Sequence, residues 1–230
     1  MNVIILAAGE GKRINNKLKC LLKIKDKFLI EYSLDYAINL EPKKIFLVVS
    51  PLLNEQLRHN FDLQYPVETI IQDNPGGTMN ALKLVIDYEP RFPIFLMLGD
   101  EVLINPKDKD MLDLYNNNFS LDGIIGYVKI KDKEDIKKTY SLNIYSDNVL
   151  SLEEKPKEVY NYLKGTGHCI ISRGLFKNMI FSKEKNFVEA INKSISSSSY
   201  LKAFEVCTKY FNINTIEDLI EARNYLEVKN

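Results

Sequence analysis

The chain opens with Val3-Ile4-Ile5-Leu6-Ala7-Ala8-Gly9-Glu10-Gly11-Lys12-Arg13. Branched apolar residues give way to small residues, two glycines and two cations. That order describes a buried strand running into a loop whose bare backbone N–H groups can cradle an anion, with Lys12 and Arg13 beside it. The planar fork of Arg13 matches phosphate geometry. On its own the loop reads equally as a structural turn. It lacks the GxxxxGK[ST] pattern of a P-loop, and Ile14 stands where a dinucleotide fingerprint requires a third glycine. The second strand ends in Val49-Ser50-Pro51, without the acid that would hold a ribose.

Two further segments could do chemistry. Gln72 offers both a donor and an acceptor to the edge of a nucleobase, and Gly77 leaves room for the base. Read structurally, the same stretch is a turn before a helix, with Gly77 in a special backbone conformation and Thr78 as the N-cap. Asp100 follows the apolar run Ile94–Leu98. A carboxylate at the end of a central strand suits a hard cation such as Mg²⁺. Glu101, next to it on the chain, is expected to point elsewhere and take no part.

These segments need a scaffold that brings them together. Buried strands are predicted at 2–7, 45–49, 67–72 and 93–98, and helices at 28–40, at 52–61 and from about Thr78. The alternation predicts a parallel sheet with helices on both faces, where ligands gather at the carboxyl ends of the strands. The loop after residue 7, the turn at 72–78 and Asp100 all fall at such ends. Beyond residue 120 strands are predicted at 122–130, 139–145, 149–153, 166–172 and 203–207, with helices at 174–181, 186–195 and 215–228. The expected fold is α/β: a Rossmann-like three-layer α/β/α domain over 1–230, with a mostly parallel mixed sheet. Its nucleotide-binding half covers about 1–110, and a small acceptor-binding lobe lies in about 111–230.

Bulk properties exclude several classes. The 230 residues are 45% hydrophobic, and 31 basic residues balance 31 acidic ones. That supports one sizeable core and gives no field to attract nucleic acid or an anionic membrane. No apolar run approaches the ~18 residues of a membrane span. The N-terminus lacks the basic start and the long apolar run of a signal peptide, so secretion is not expected. Cys20, Cys169 and Cys207 are dispersed without a CxxC pair, which predicts reduced thiols and a cytoplasmic location. With only two histidines, no spacing suggests zinc.

Blocks in sequence order carry a resemblance. Leu6-Ala7-Ala8-Gly9-Glu10-Gly11-Lys12-Arg13 is followed by Lys19-Cys20-Leu21-Leu22 and Phe28-Leu29-Ile30-Glu31-Tyr32. Then come Gln72-Asp73-Asn74-Pro75-Gly76-Gly77-Thr78, Leu98-Gly99-Asp100, Glu153-Glu154-Lys155-Pro156, Gly165-Thr166-Gly167 and Asn212-Ile213-Asn214-Thr215-Ile216-Glu217-Asp218-Leu219. From residue 3 to about 220 the chain resembles the nucleotidyltransferases that make nucleotide-sugars, whose opening reads LAAGxGxR.

The resemblance implies a Mg²⁺-assisted reaction in which an oxygen of a sugar 1-phosphate attacks the α-phosphate of an NTP and pyrophosphate leaves. Its partners would be an NTP and a phosphorylated small-molecule acceptor, with no nucleic acid or membrane, in a chain that could form a homodimer. It assigns Arg13, Lys19 and Asp100 to catalysis. Leu6, Ala7, Ala8, Gly9, Glu10, Gly11, Lys12, Arg13, Gln72, Gly77 and Thr78 would hold the nucleotide. Glu154, Lys155, Thr166 and Gly167 would hold the acceptor, while His168 and Cys169 line the acceptor pocket or simply pack. Asp100 would ligate the metal with Asn212, or with Asn214, which could equally cap the last helix. The chain departs from the family pattern at Leu18, which replaces a proline, in a shortened stretch from Arg13 to Lys19, and at Met79 and Asn80. These departures leave the acceptor open, and a cytidylyltransferase for a phosphocholine-like or phosphonate acceptor is the alternative. A non-catalytic nucleotide sensor is a third reading. An appended β-helical acyltransferase domain is not expected.

Overall fold

Every residue of the first strand, β1 (Asn2–Ala7), is buried, because both faces of the strand are covered. Ile4 and Leu6 point into one hydrophobic cluster, and Val3, Ile5 and Ala7 into another on the opposite face. This period of two sets the layering. The computed structural model describes residues 1–9, 18–60, 66–74 and 76–228. After β1 come a short hairpin, β2 (Lys23–Ile24) and β3 (Lys27–Phe28), then α1 (Leu29–Asn39), β4 (Ile45–Val49), α2 (Pro51–Asn60), β5 (Val67–Ile71), α3 (Gly77–Leu84) and β6 (Ile94–Leu98). Next are β7 (Glu101–Ile104), α4 (Asp108–Asn116), β8 (Gly123–Lys129), β9 (Tyr140–Tyr145), β10 (Asn148–Glu154) and β11 (Leu163–Ile171). The chain continues through α5 (Arg173–Phe181), α6 (Phe187–Ser196), β12 (Leu201–Glu205), β13 (Lys209–Asn212) and α7 (Ile216–Val228).

The main sheet runs β5-β4-β1-β6-β11-β8-β12-β10-β9, and a further β11–β9 pairing, Lys164 opposite Ser141, partly closes it. Residues from α1, α2 and α4 enter the cluster on one face, and residues from α3, α5 and α6 the cluster on the other. The expected α/β class holds, but the sheet is not mostly parallel. Parallel pairing is confined to β5-β4-β1-β6 and to β8 with β12. The other pairs are antiparallel. Between β9 and β10 the short connection requires this, since a parallel pair needs a crossover of a dozen or more residues, and β11 runs against both β6 and β8 in the middle of the sheet.

The carboxyl ends of β1 and β6 lie side by side at the point where the strand order reverses, with β4 on one flank of β1 and β6 on the other. The backbone stays close there, because Gly99 N–H donates to Leu6 O at 2.9 Å. Outside the main sheet, β7 and β13 form a two-stranded ladder pairing Glu101 with Asn212. Val102, Phe211, Ile213 and Leu219 pack beneath it in a third, smaller cluster. That ladder has a simple consequence: residues 100 and 212, far apart in sequence, are held at one corner.

Candidate active site

Two adjoining cavities meet at this corner. The first, of about 300 Å³, lies over the ends of β1, β5 and β6. It is lined by Leu6, Ala7, Ala8, Gly9, Lys19, Gln72, Gly77, Thr78 and Asp100, so the candidate nucleotide residues that can be located converge on one space. Glu10, Gly11, Lys12 and Arg13 lie outside the described residues. Gln72 is buried and its side-chain Nε2 has no hydrogen-bond partner. An orphaned donor in a wall of alanine and glycine is what a nucleobase edge could satisfy. Gly77 holds φ at +79°, and a Cβ there would stand 3.1 Å from Lys185 O. The special conformation expected for Gly77 is present. The Thr78 cap is not: Gly76 occupies the N-cap of α3, because the chain enters the helix two residues earlier. Met79, an unusual residue by family pattern, is fully buried in the core.

Lys19 stands at the rim of this cavity on a single 3-10 turn, Lys19–Leu21. Its ammonium pairs with the Asp100 carboxylate and donates to Asn214 Oδ1 at 2.9 Å. The contact occupies the Asn214 side chain, which does not cap the last helix. Thr215 does that work. Its Oγ1 accepts from Asp218 N–H at 3.2 Å, while Asp218 Oδ2 accepts from Asn214 and Thr215 N–H at 2.8 Å.

The second cavity, of about 340 Å³, shares Thr78, Leu98 and Asp100 with the first. All four candidate acceptor residues, Glu154, Lys155, Thr166 and Gly167, line it, with Tyr140, Asn186, Tyr210 and Asn212. Lys155 is held at φ +45°, uncommon for a side chain of this length, by an N–H donated to Thr139 O at 2.6 Å. Burial pushes the Glu154 carboxyl above its ordinary value, against the pull of Lys155. Tyr140 donates its hydroxyl to Thr166 O at 2.6 Å, which fixes the strand beside the cavity.

The corner between the cavities has the donors a hard cation needs. Asp100 Oδ1 and Asn212 Oδ1 are both buried without a hydrogen-bond partner. Two orphaned oxygens are an incomplete set on their own, and no cluster of three or more His, Cys, Asp or Glu ligands exists among the described residues. Mg²⁺ commonly takes one or two protein oxygens and completes its shell with phosphate and water, so these residues fit it. Of the two asparagines, the uncommitted oxygen belongs to Asn212.

Glu101 corrects the sequence-based expectation. It takes part after all: Glu101 is buried, lines the second cavity together with Asp100, and anchors a polar network in its wall. Gly167 N–H donates to its two oxygens at 2.9 and 3.0 Å, and Tyr210 donates its hydroxyl to Oε1. His168 is fully buried, with Nδ1 2.8 Å from Asp108 Oδ1 and Nε2 4.0 Å from Glu101 Oε2. His168 therefore packs behind the pocket, whereas Cys169 lines it. Burial pushes Glu101 up to about 7, against the pull of His168. Burial disfavours charge on His168, but Asp108 and Glu101 outweigh it and hold the imidazole above its usual value. Nothing in the sequence flagged this set, since Glu101, Asp108 and His168 share no spacing. A small signal existed in the Gly-Thr-Gly of β11: at Gly167 a Cβ would meet Leu98 Cγ at 2.3 Å, so the strand approaches β6 closely there.

A nine-stranded sheet with a ligand-sized cleft at its strand-order reversal, unpartnered oxygens at the cleft's centre and small residues on one wall defines a ligand-binding α/β protein. Residues 2–228 match the family model described as nucleotidyl transferase, and the chain belongs to that family. It is 28% identical over 242 residues to the bifunctional protein GlmU of Thermodesulfovibrio yellowstonii, covering 98% of this chain and 52% of that one. It is 30% identical over 165 residues to GlmU of Buchnera aphidicola subsp. Acyrthosiphon pisum, covering 69% of this chain and 36% of that one. The chain thus spans about half or less of the curated relatives it matches. Among solved structures, a Bacillus anthracis protein provisionally assigned as a glucose-1-phosphate thymidylyltransferase, in complex with sucrose, superposes with a TM-score of 0.86 at 19% identity, over 98% of this chain and 94% of that one. A UDP-glucose pyrophosphorylase complexed with UDP-glucose gives 0.81 at 18% identity, over 100% and 99%. These two likenesses are of fold.

Proposed function

We propose that the chain couples an NTP to a sugar 1-phosphate, forming a nucleotide-sugar and pyrophosphate. The observation that carries the reading is Asp100: it lines both cavities, and its Oδ1 is buried and unpartnered. In the reaction an oxygen of the acceptor phosphate forms a bond to Pα. The bond from Pα to the bridging oxygen breaks, and its electron pair leaves with pyrophosphate. Three anionic groups must be held together, so catalysis is positioning and charge neutralisation.

In this reading Leu6, Ala7, Ala8 and Gly9 form the floor under the nucleotide, and Gln72, Gly77 and Thr78 receive its base. Glu10, Gly11, Lys12 and Arg13 complete the phosphate loop, with Arg13 on the triphosphate. Lys19, already poised between Asp100 and Asn214, would exchange those partners for phosphate oxygens. Asp100 and Asn212 would hold Mg²⁺, which when bound supplies charge neutralisation on the phosphates. Glu154 would accept hydrogen bonds from sugar hydroxyls, Lys155 would meet the sugar phosphate, and Thr166 and Gly167 would flank the ring. The first half of the chain, about 1–110, is then the nucleotide half. The second, about 111–230, is the acceptor half of the same domain. Reduced, buried Cys20, Cys169 and Cys207 accord with a cytoplasmic setting.

A matrix of four NTPs against sugar 1-phosphates, phosphocholine and phosphonates, read by pyrophosphate release, tests the reading. Release with a sugar 1-phosphate supports it. Release with only phosphocholine or a phosphonate replaces it with the cytidylyltransferase alternative. NTP binding without release for any acceptor overturns catalysis.

A further inference from the structure

A third cavity, of about 510 Å³, opens past β11 and β13 beside the acceptor cavity, and only Asn212 and Asn214 of its lining enter the scheme above. Successive residues of β11 serve the two sides: Gly165 lines the acceptor cavity and Lys164 lines this one. Lys164 is only 7% exposed. Among the described residues its ammonium makes no hydrogen bond or ion pair, and Nζ stands over the Tyr210 ring, 5.3 Å from the centroid. Buried ammonium groups are ordinarily paired, because desolvation is costly. Here burial pushes the group below its ordinary lysine value, although Asp135, Glu101 and Asp218 pull the other way.

The acids around the cavity are already engaged. Asp132 accepts Glu134 N–H at 3.0 Å, Asp135 pairs with Lys138 at 2.9 Å, Glu221 pairs with Lys209 at 3.0 Å, and Asp218 accepts the backbone N–H groups of Asn214 and Thr215 just before α7. What the cavity offers a ligand is therefore positive: one buried cation, set beside an aromatic face. We propose that it is a second anion-binding site, in which Lys164 takes the phosphate or carboxylate of a small molecule. Tyr210, Asn212 and Asn214 line both this cavity and the acceptor cavity. The anion thus belongs either to the far end of the acceptor or to a separate molecule bound beside it.

Calorimetric titration of the full chain with inorganic phosphate tests the site without turnover, so its outcome is independent of the proposed reaction. Lys164→Met should weaken one saturable binding event by about tenfold or more, the worth of a charge-assisted hydrogen bond. Lys164→Arg and Lys19→Ala should retain that event. Lys164→Met should also leave the thermal midpoint equal or higher in the absence of phosphate, since it removes a largely desolvated ammonium without an ion-pair partner, whereas a structural lysine would lower it. On the unsubstituted chain, phosphate should protect Lys164 from an amine-modifying reagent read by mass spectrometry. Isotherms of the Met variant and the unsubstituted chain that superimpose, or an unprotected Lys164, overturn the site. Two arms separate the sources, and each supports it. A lower KM for an acceptor with a second anionic group, lost in Lys164→Met, assigns the anion to the acceptor. Phosphate binding that persists with saturating acceptor assigns it to a separate molecule.

Discussion

The two cavities that meet at Asp100 are built by different means. The nucleotide cavity is assembled largely from strand ends and the turns that follow them: 6–9 at the end of β1, Gln72 and 76–78 after β5, and Leu98 and Asp100 at the end of β6. The acceptor cavity is walled by the strands β9, β10, β11 and β13 themselves, with Gly165, Thr166, Gly167 and Cys169 all from β11, and its lining residues Glu101 and Tyr210 are tied to Gly167 and backed by His168. Parallel strands present all their carboxyl ends on one edge, which lets small side chains and backbone do the binding. Antiparallel strands present both ends on each edge, so side chains must reach in, and their placement costs a buried polar network.

The corner common to both cavities should be the most sensitive. Lys19→Ala and Asp100→Ala are each expected to reduce turnover by about 100-fold or more, measured as pyrophosphate release with both substrates saturating. Turnover near that of the unsubstituted chain would remove the corner from the chemistry. The acceptor wall should be the more fragile half in stability. Glu101→Ala leaves Gly167 N–H and the Tyr210 hydroxyl buried and unpaired, which should cost about 2–4 kcal/mol in chemical denaturation. A loss below about 1 kcal/mol would mean that the network does not hold the wall. The halves should also separate kinetically. Gln72→Ala should raise the KM for NTP about tenfold and leave that for the acceptor unchanged, and Lys155→Ala the reverse, from the loss of one hydrogen bond or one charge contact. A crossed or uniform effect would merge the two cavities into one.

The smallest effect is the pH dependence of stability. Both Glu101 and His168 are held above their ordinary values, so the folded chain carries more protons than the unfolded chain around neutrality. Their contribution is greatest in mild acid and is lost as pH rises through about 7. The thermal midpoint should fall by a few degrees between about pH 6 and about pH 8, and Glu101→Gln should flatten that slope. A midpoint that rises over this interval would contradict the network.

Legibility in the sequence followed the same division. Strands were readable at 2–7, 45–49 and 67–72, because each is rich in branched apolar residues and bounded by a turn signal, and the nucleotide wall hangs from the ends of the first and third. The helices packed on them were readable from their spacing of apolar residues. β7 and β13 carried no such signal: four residues each, they are strands only because they pair with one another. The share of antiparallel pairing was equally hidden, since it depends on which strand β11 lies beside and not on its own residues.

Sequence alone thus determined the α/β class and the strand ends at which Gln72, Gly77 and Asp100 stand, while Glu154 and Lys155 were singled out by the family resemblance, because local periodicity and short motifs are properties of neighbouring residues. Only the tertiary structure decided that Asn214 is occupied by Lys19 while Asn212 keeps a free oxygen, that Glu101 braces Gly167, and that Lys164 faces its own cavity. Each of those facts is a contact between residues tens of positions apart or more, and such contacts are set by strand pairing and burial, which no local pattern encodes.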